Sequence, residues 1–278
     1  GVSTTFLIAL CAIAGREISA GGNWRNLKVL VAVMLLAVAQ VSFHAEVLLT
    51  GQPVVSVRLA IAAVIMLISI IGGRVIPSFT SGWIKRSNPG VVPATFGTID
   101  LICLLTSGLA LGAWVALPWL QSYAVIVGGF LILTGFANLL RQARWVPHRT
   151  MTEPLVAILH VAFAFVGLGF VLAGISALDD GKTTEAAAIH AWTTGAIGTM
   201  TLAIMTRASL GHTGHALKAP ATTVAIYLAV IVAAVSRIIA AFVTDYSSVF
   251  LPLAGVAWIG AFAGFAICYG PMLLKPRK

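Results

Sequence analysis

Residues 190–215 read HAWTTGAIGTMTLAIMTRASLGHTGH: an uncharged run that opens on His190, closes on Arg207 and leads to His212 and His215 in a Gly-punctuated turn. The 17 residues from His190 to Arg207 span roughly 26 Å as a helix rising about 1.5 Å per residue, close to the hydrocarbon thickness of a bilayer. This stretch predicts a membrane-crossing helix with imidazoles near both faces, a candidate redox or ion site. The rest of the chain is read by asking what else lies at those two depths.

The composition agrees with a membrane setting. Hydrophobic residues make up 59% of the 278 and charged ones 9%, against about 25% charged in soluble domains. With a mean hydropathy of +1.02, this is a polytopic membrane protein. The net charge of +9 resides in short loops, where it signals topology, not nucleic-acid binding. Cys11, Cys103 and Cys268 each lie in an apolar run, without CxxC or zinc spacing, and are expected to be small buried hydrophobes.

Nine apolar segments can be counted at roughly 20 residues per span, near 2–14, 27–48, 56–72, 98–117, 122–140, 154–176, 187–206, 220–243 and 249–270. Lipid offers no other partner for backbone groups, so all nine are expected to be helices in one all-α transmembrane bundle over 1–278. The connections alternate in charge. Arg16, Arg25 and Lys28 come after segment one, and Arg74, Lys85 and Arg86 after segment three. Arg141, Arg144 and Arg149 come after segment five, Arg207 and Lys218 after segment seven, with Lys275, Arg277 and Lys278 at the end. The connections between carry Glu46 and Arg58, then no charge, then Asp179, Asp180, Lys182 and Glu185, then Asp245. The positive-inside rule makes the C-terminus and the odd-numbered connections cytoplasmic. The stretch 73–97, rich in Gly, Pro and Ser, reads as a connection without helical period over its whole length. The chain opens without Met on a short first run lacking a signal-peptide pattern, which predicts that an N-terminal part is missing.

Ionisable groups inside spans are functional candidates by default. His44, with Gln40 one turn below it, shares its depth with His190 and with Arg237. Two imidazoles at one depth suit axial haem ligation or a copper site, and an arginine there suits haem propionates; interfacial hydrogen bonding and snorkelling are the plain alternative. At the other depth, His160 stands above Ala164, Gly167 and Gly174, a small-residue stripe that either leaves room for a flat cofactor or lets another helix approach. Asp100 reads as a helix-start residue or a proton-handling carboxylate. His148, His212 and His215 are loop histidines. The face His190, Thr194, Gly198 and Thr201 is expected to point away from lipid. No P-loop, GxSxG or HExxH pattern competes.

Three blocks carry a resemblance: GGRVIPSFT at 72–80, GAIGTMTLAIMTRASLGHTGHAL at 195–217 and REISAGGNWRNLKV at 16–29. With them the whole chain resembles the NnrS family, bacterial haem- and copper-containing membrane proteins of the nitric-oxide response. Members are longer and open on a His-rich segment resembling HEMLFGF that is not in this sequence. The resemblance implies a helix bundle in the bacterial inner membrane that binds haem and copper and acts in protection from nitric oxide and nitrosative stress. It implies His44, His160 and His190 as candidate metal and cofactor ligands, with Arg74 and Arg207 in the matching motifs as further candidate cofactor-binding residues beside the Arg237 already singled out by depth. His215 stands where arginine is more usual, which argues against it as a ligand. Beside a haem/copper protein meeting nitric oxide or another small diatomic, the residues also allow a transporter or channel for a small ion or metal, or a scaffold for a respiratory complex. Whether the protein is an enzyme is left open by the residues.

Overall fold

The computed structural model describes residues 2–87, 89–179 and 185–275. Asp180 and Lys182, and Arg277 and Lys278 at the end, lie outside the described residues, as does the side chain of Arg25. Among the described residues there is no strand, as the all-α reading requires. The helices are α1 (Val2–Ala20), α2 (Leu27–Thr50), α3 (Val54–Ser87), α4 (Thr98–Val115), α5 (Ala124–Ala143), α6 (Pro154–Leu178), α7 (Glu185–His190), α8 (Thr199–His212), α9 (Ala221–Phe242) and α10 (Ser247–Leu273). A π-helical segment, Ala191–Gly198, joins α7 to α8. Among the described residues, eight helices are long and apolar enough to cross a membrane. The seventh expected span is the composite of α7, the π segment and α8.

Helix α6 is the centre of the bundle. It packs against α3, α5, α7, the π segment and α8, and its side chains are buried nearly all round, including Leu159, Phe163, Val166 and Phe170. An all-round apolar helix belongs in a core. On its α5 side, Gly167 and Gly174 face Gly135 and Gly128, so closely that a Cβ on any of the four would strike the opposing helix. Both pairs are seven residues apart, so they lie on one stripe, and small residues there let backbones approach. The stripe above His160 therefore closes on α5 and leaves no room for a flat cofactor. By contrast α1 packs mainly on α2 and the short turn after it, and its apolar side chains such as Phe6, Ile8 and Ile13 are exposed, as lipid-facing side chains are.

Two boundaries differ from the sequence reading. Helix α1 runs on past Gly15, Arg16 and Glu17 to Ala20. Helix α3 continues to Ser87, through Pro77, so 73–87 is helix and not connection. The reason is tertiary. Ile76, Thr80 and Ile84, four apart, form a fully buried stripe along the extension, and this burial outweighs the missing N–H of Pro77. Ile84 is thus a core residue. Glu46 at the end of α2 accepts hydrogen bonds from the Val55 and Ser56 N–H groups, both at 2.9 Å, and from the Ser56 hydroxyl. A carboxylate over free N–H groups stabilises the start of α3. Cys103 is buried, Cys11 and Cys268 are half-buried, and all three are free thiols.

Candidate functional site

The polar side chains gather at two ends of the bundle, one basic and one acidic by its flanking loops. At the acidic end the chain changes helix type. His190 closes α7 and the next eight residues form the π segment. Wide i→i+5 turns free local carbonyls, and Thr193 answers by donating its hydroxyl to the Ile189 carbonyl at 2.7 Å. Small residues make the wide turn packable. Gly195 lies against Phe165, and Gly198 against Trp258. Trp192, fully buried, fills the space over Gly169, meets Trp114 and Phe170 edge-on, and donates from its indole to the Val166 carbonyl at 3.1 Å.

This packing fixes His190. Arg237 of α9 reaches across and its Nη2 lies 2.6 Å from His190 Nε2. Guanidinium only donates, so Nε2 is the acceptor and the imidazole is neutral with its proton on Nδ1. No carboxylate among the described residues pairs with Arg237, Asp245 included. Arg237 also lines a pocket of about 230 Å³ with Thr194, Leu251, Ala254, Gly255 and Trp258. The expected polar face of this span divides. Thr194 and Gly198 look to α10, but Thr201 is exposed and lines a groove against α3, because the π turns rotate α8 relative to α7.

His44 is not part of this site. It is exposed on α2, 3.3 Å from Gln40 Nε2 and edge-on to Phe43. Helix α2 packs on α1 and α3, so shared depth does not bring His44 to His190. Nearby, Arg58 ties three helices together: Nη2 donates to Glu185 at 2.5 Å, Nη1 to the Trp114 carbonyl at 3.2 Å, and the guanidinium lies over the Trp114 ring. These residues border a polar pocket of about 110 Å³. Neither Arg58 nor Glu185 is a mere loop charge.

At the basic end His160 is buried. Its Nε2 is 2.9 Å from the Thr80 hydroxyl, its carbonyl accepts from Gln142 Nε2 at 2.6 Å, and its Nδ1 has no partner. Arg207 places its guanidinium 3.9 Å from the centre of the Phe79 ring, next to Thr80 on α3. Arg74 is exposed, two turns back. Sequence reasoning missed Arg141, which reads as a loop charge. It is fully buried, donating from Nε to Asp100 at 2.9 Å and from Nη1 to the Ser69 carbonyl at 3.2 Å, with Gly73 against it and Trp145 and Phe163 beside it. Arg144 adds a second bond to Asp100 at 3.1 Å, and Asp100 also accepts from the Gly97 N–H, so it is a helix-start residue and an ion-pair partner together. The available signal was Asp100 inside one span and Arg141 directly at the end of the next, a pair that membrane burial demands.

A family model described as NnrS protein matches residues 1–277. The chain belongs to the NnrS family. It is therefore a membrane protein of a family tied to the nitric-oxide response. No curated protein and no solved structure matches it. The haem and copper implied for NnrS proteins can be set against the geometry. Among the described residues no three His, Cys, Asp or Glu side chains converge as a metal site. His190 offers one nitrogen, already held by Arg237, beside a pocket below the roughly 300–1,000 Å³ of ordinary ligand sites. His160 offers a free Nδ1 but its helix face is closed by α5. In this packing the described residues do not complete a haem or copper site.

Proposed function

We propose that this protein acts in protection from nitric oxide and nitrosative stress as a haem- and copper-binding protein of the bacterial inner membrane, and that the pocket beside Arg237 and His190 is where it works. The observation that carries this reading is the Arg237–His190 pair: an arginine without a carboxylate among the described residues, bonded to a neutral imidazole at a π-helical turn, facing a pocket large enough for a small ligand. π-segments cluster at functional sites, and an intramembrane cation without a counter-charge is retained at a cost. Nitric oxide is uncharged and enters lipid, so a pocket inside a span is accessible to it. His190 is the imidazole this pocket would offer to a metal, with Nε2 released from Arg237. The odd-numbered connections and the C-terminus are cytoplasmic in this reading, supported by the alternation of basic loops.

The test is an absorption spectrum and metal analysis of the purified protein from cells supplied with iron and copper. A Soret band that shifts or disappears in His190→Ala, and persists in His44→Ala, is the expected outcome. A colourless, metal-free preparation overturns the reading. Flux of a small ion or metal through proteoliposomes would favour a transporter instead.

A further inference from the structure

A second feature lies at the basic end, away from both histidine sites. A groove of about 700 Å³ opens there between α2, α3 and the segment before α4, lined by Trp24, Leu27, Lys28, Val31, Arg74 and Phe96. Among the described residues, two cations line it and no acidic residue does. Lys28 stands over the Phe96 ring at 5.9 Å.

Depth identifies its setting. Arg74 is 20 residues beyond Val54, the first residue of α3, which places it about 30 Å along the helix, one hydrocarbon thickness from the acidic end. Lys28 is the second residue of the antiparallel α2. Both cations therefore stand at one bilayer boundary, and exposed Trp24 and Phe96 mark it as aromatic side chains do. From that level Leu27 and Val31 lead into the hydrocarbon. A polar, cationic mouth continuous with an apolar wall matches a molecule with an anionic head and an acyl tail.

We propose that this groove binds the headgroup of an anionic phospholipid from the leaflet at the basic end, with Lys28 and Arg74 on the phosphate and the acyl chain along Leu27 and Val31. Basic pockets between transmembrane helices recognise such headgroups. Haem is also an anionic amphiphile, but no histidine lines this groove to ligate it. On the other side of Arg74, a groove of about 610 Å³ includes Glu17. That carboxylate repels an anion, so the lipid belongs on the Lys28 side. The proposal is independent of any metal.

The experiment is native mass spectrometry of the full chain from nanodiscs holding equal phosphatidylglycerol and phosphatidylcholine. The wild type retains phosphatidylglycerol with a preference of roughly tenfold or more. Lys28→Gln with Arg74→Gln brings the preference to about one, while Lys28→Arg with Arg74→Lys preserves it. Lys85→Gln with Arg86→Gln, at the same end but outside the groove, leaves it unchanged. Equal retention of both lipids by the wild type overturns the proposal without needing any variant. So does a preference that survives the double glutamine change, displacement of the lipid by millimolar inorganic phosphate, or a retained species that proves to be haem.

Discussion

The two ends of the bundle hold buried arginines in opposite ways. At the basic end Arg141 has a carboxylate, a carbonyl and two aromatic neighbours, and Asp100 is shared with Arg144 and the Gly97 N–H. At the acidic end Arg237 has a neutral imidazole and a pocket. The first arrangement sets the buried guanidinium against a carboxylate, which is what joining α3, α4 and α5 requires. The second leaves a charge that no carboxylate among the described residues balances, with space beside it, which is what a ligand requires. Burial alone does not separate structure from function here; the partner does.

The contrast between the ends breaks most sharply at Arg141. Arg141→Met strips Asp100 of its buried partner and should cost about 3–5 kcal/mol, the usual penalty for leaving one member of a buried pair. Thermal or denaturant unfolding of the detergent-solubilised protein measures it. Adding Asp100→Asn should recover part of the loss, and an additive double variant would refute the pairing. The glycine stripe is next. Gly174→Val forces a side chain into the Gly128 carbonyl and Ile132, and overpacking of this kind costs about 1–3 kcal/mol. The same change at Gly129, where a Cβ meets nothing within 4 Å, should cost far less in the same assay. Thr80→Val removes the hydrogen bond of His160 and leaves that ring without a side-chain partner. A loss of about 1–2 kcal/mol is expected, read from the same unfolding curves.

The span pattern was legible because hydropathy and loop charge report the same constraint twice, once as length and once as sign. What the sequence reading lost lies where tertiary contact overrides a local rule. Gly72-Gly73 and Pro77 suggested a break, yet Ile76, Thr80 and Ile84 have the spacing of a buried helical face. The π segment was invisible because nothing in AWTTGAIG distinguishes a wide turn from an α-turn until Trp192, Gly195 and Gly198 meet their neighbours. It moved Thr201 off the face assigned to it. Of the site, His190 and Arg237 were brought together as their shared depth suggested, while His44 was not, because depth fixes one coordinate and leaves the position around the bundle free. Arg141 was hidden by its place at a span's end, where a snorkelling or loop arginine looks the same in sequence.

The smallest effect on stability is expected at the most informative position. Arg237→Gln retains a donor near His190 Nε2 and removes a charge that no carboxylate among the described residues balances, so unfolding should change by less than about 1 kcal/mol, within the range of partly exposed polar contacts. If the arginine held the bundle together as Arg141 does, the loss would match that of Arg141→Met, and the contrast between the two ends would fail. The same variant carries a second readout. With the charge gone, nothing competes electrostatically at the imidazole, and any absorption band assigned to His190 should shift while one dependent on His160 should not. A variant as stable as the wild type with an altered spectrum would mark Arg237 as part of the working pocket. An unaltered spectrum in the presence of bound haem would move the site away from Arg237 and His190.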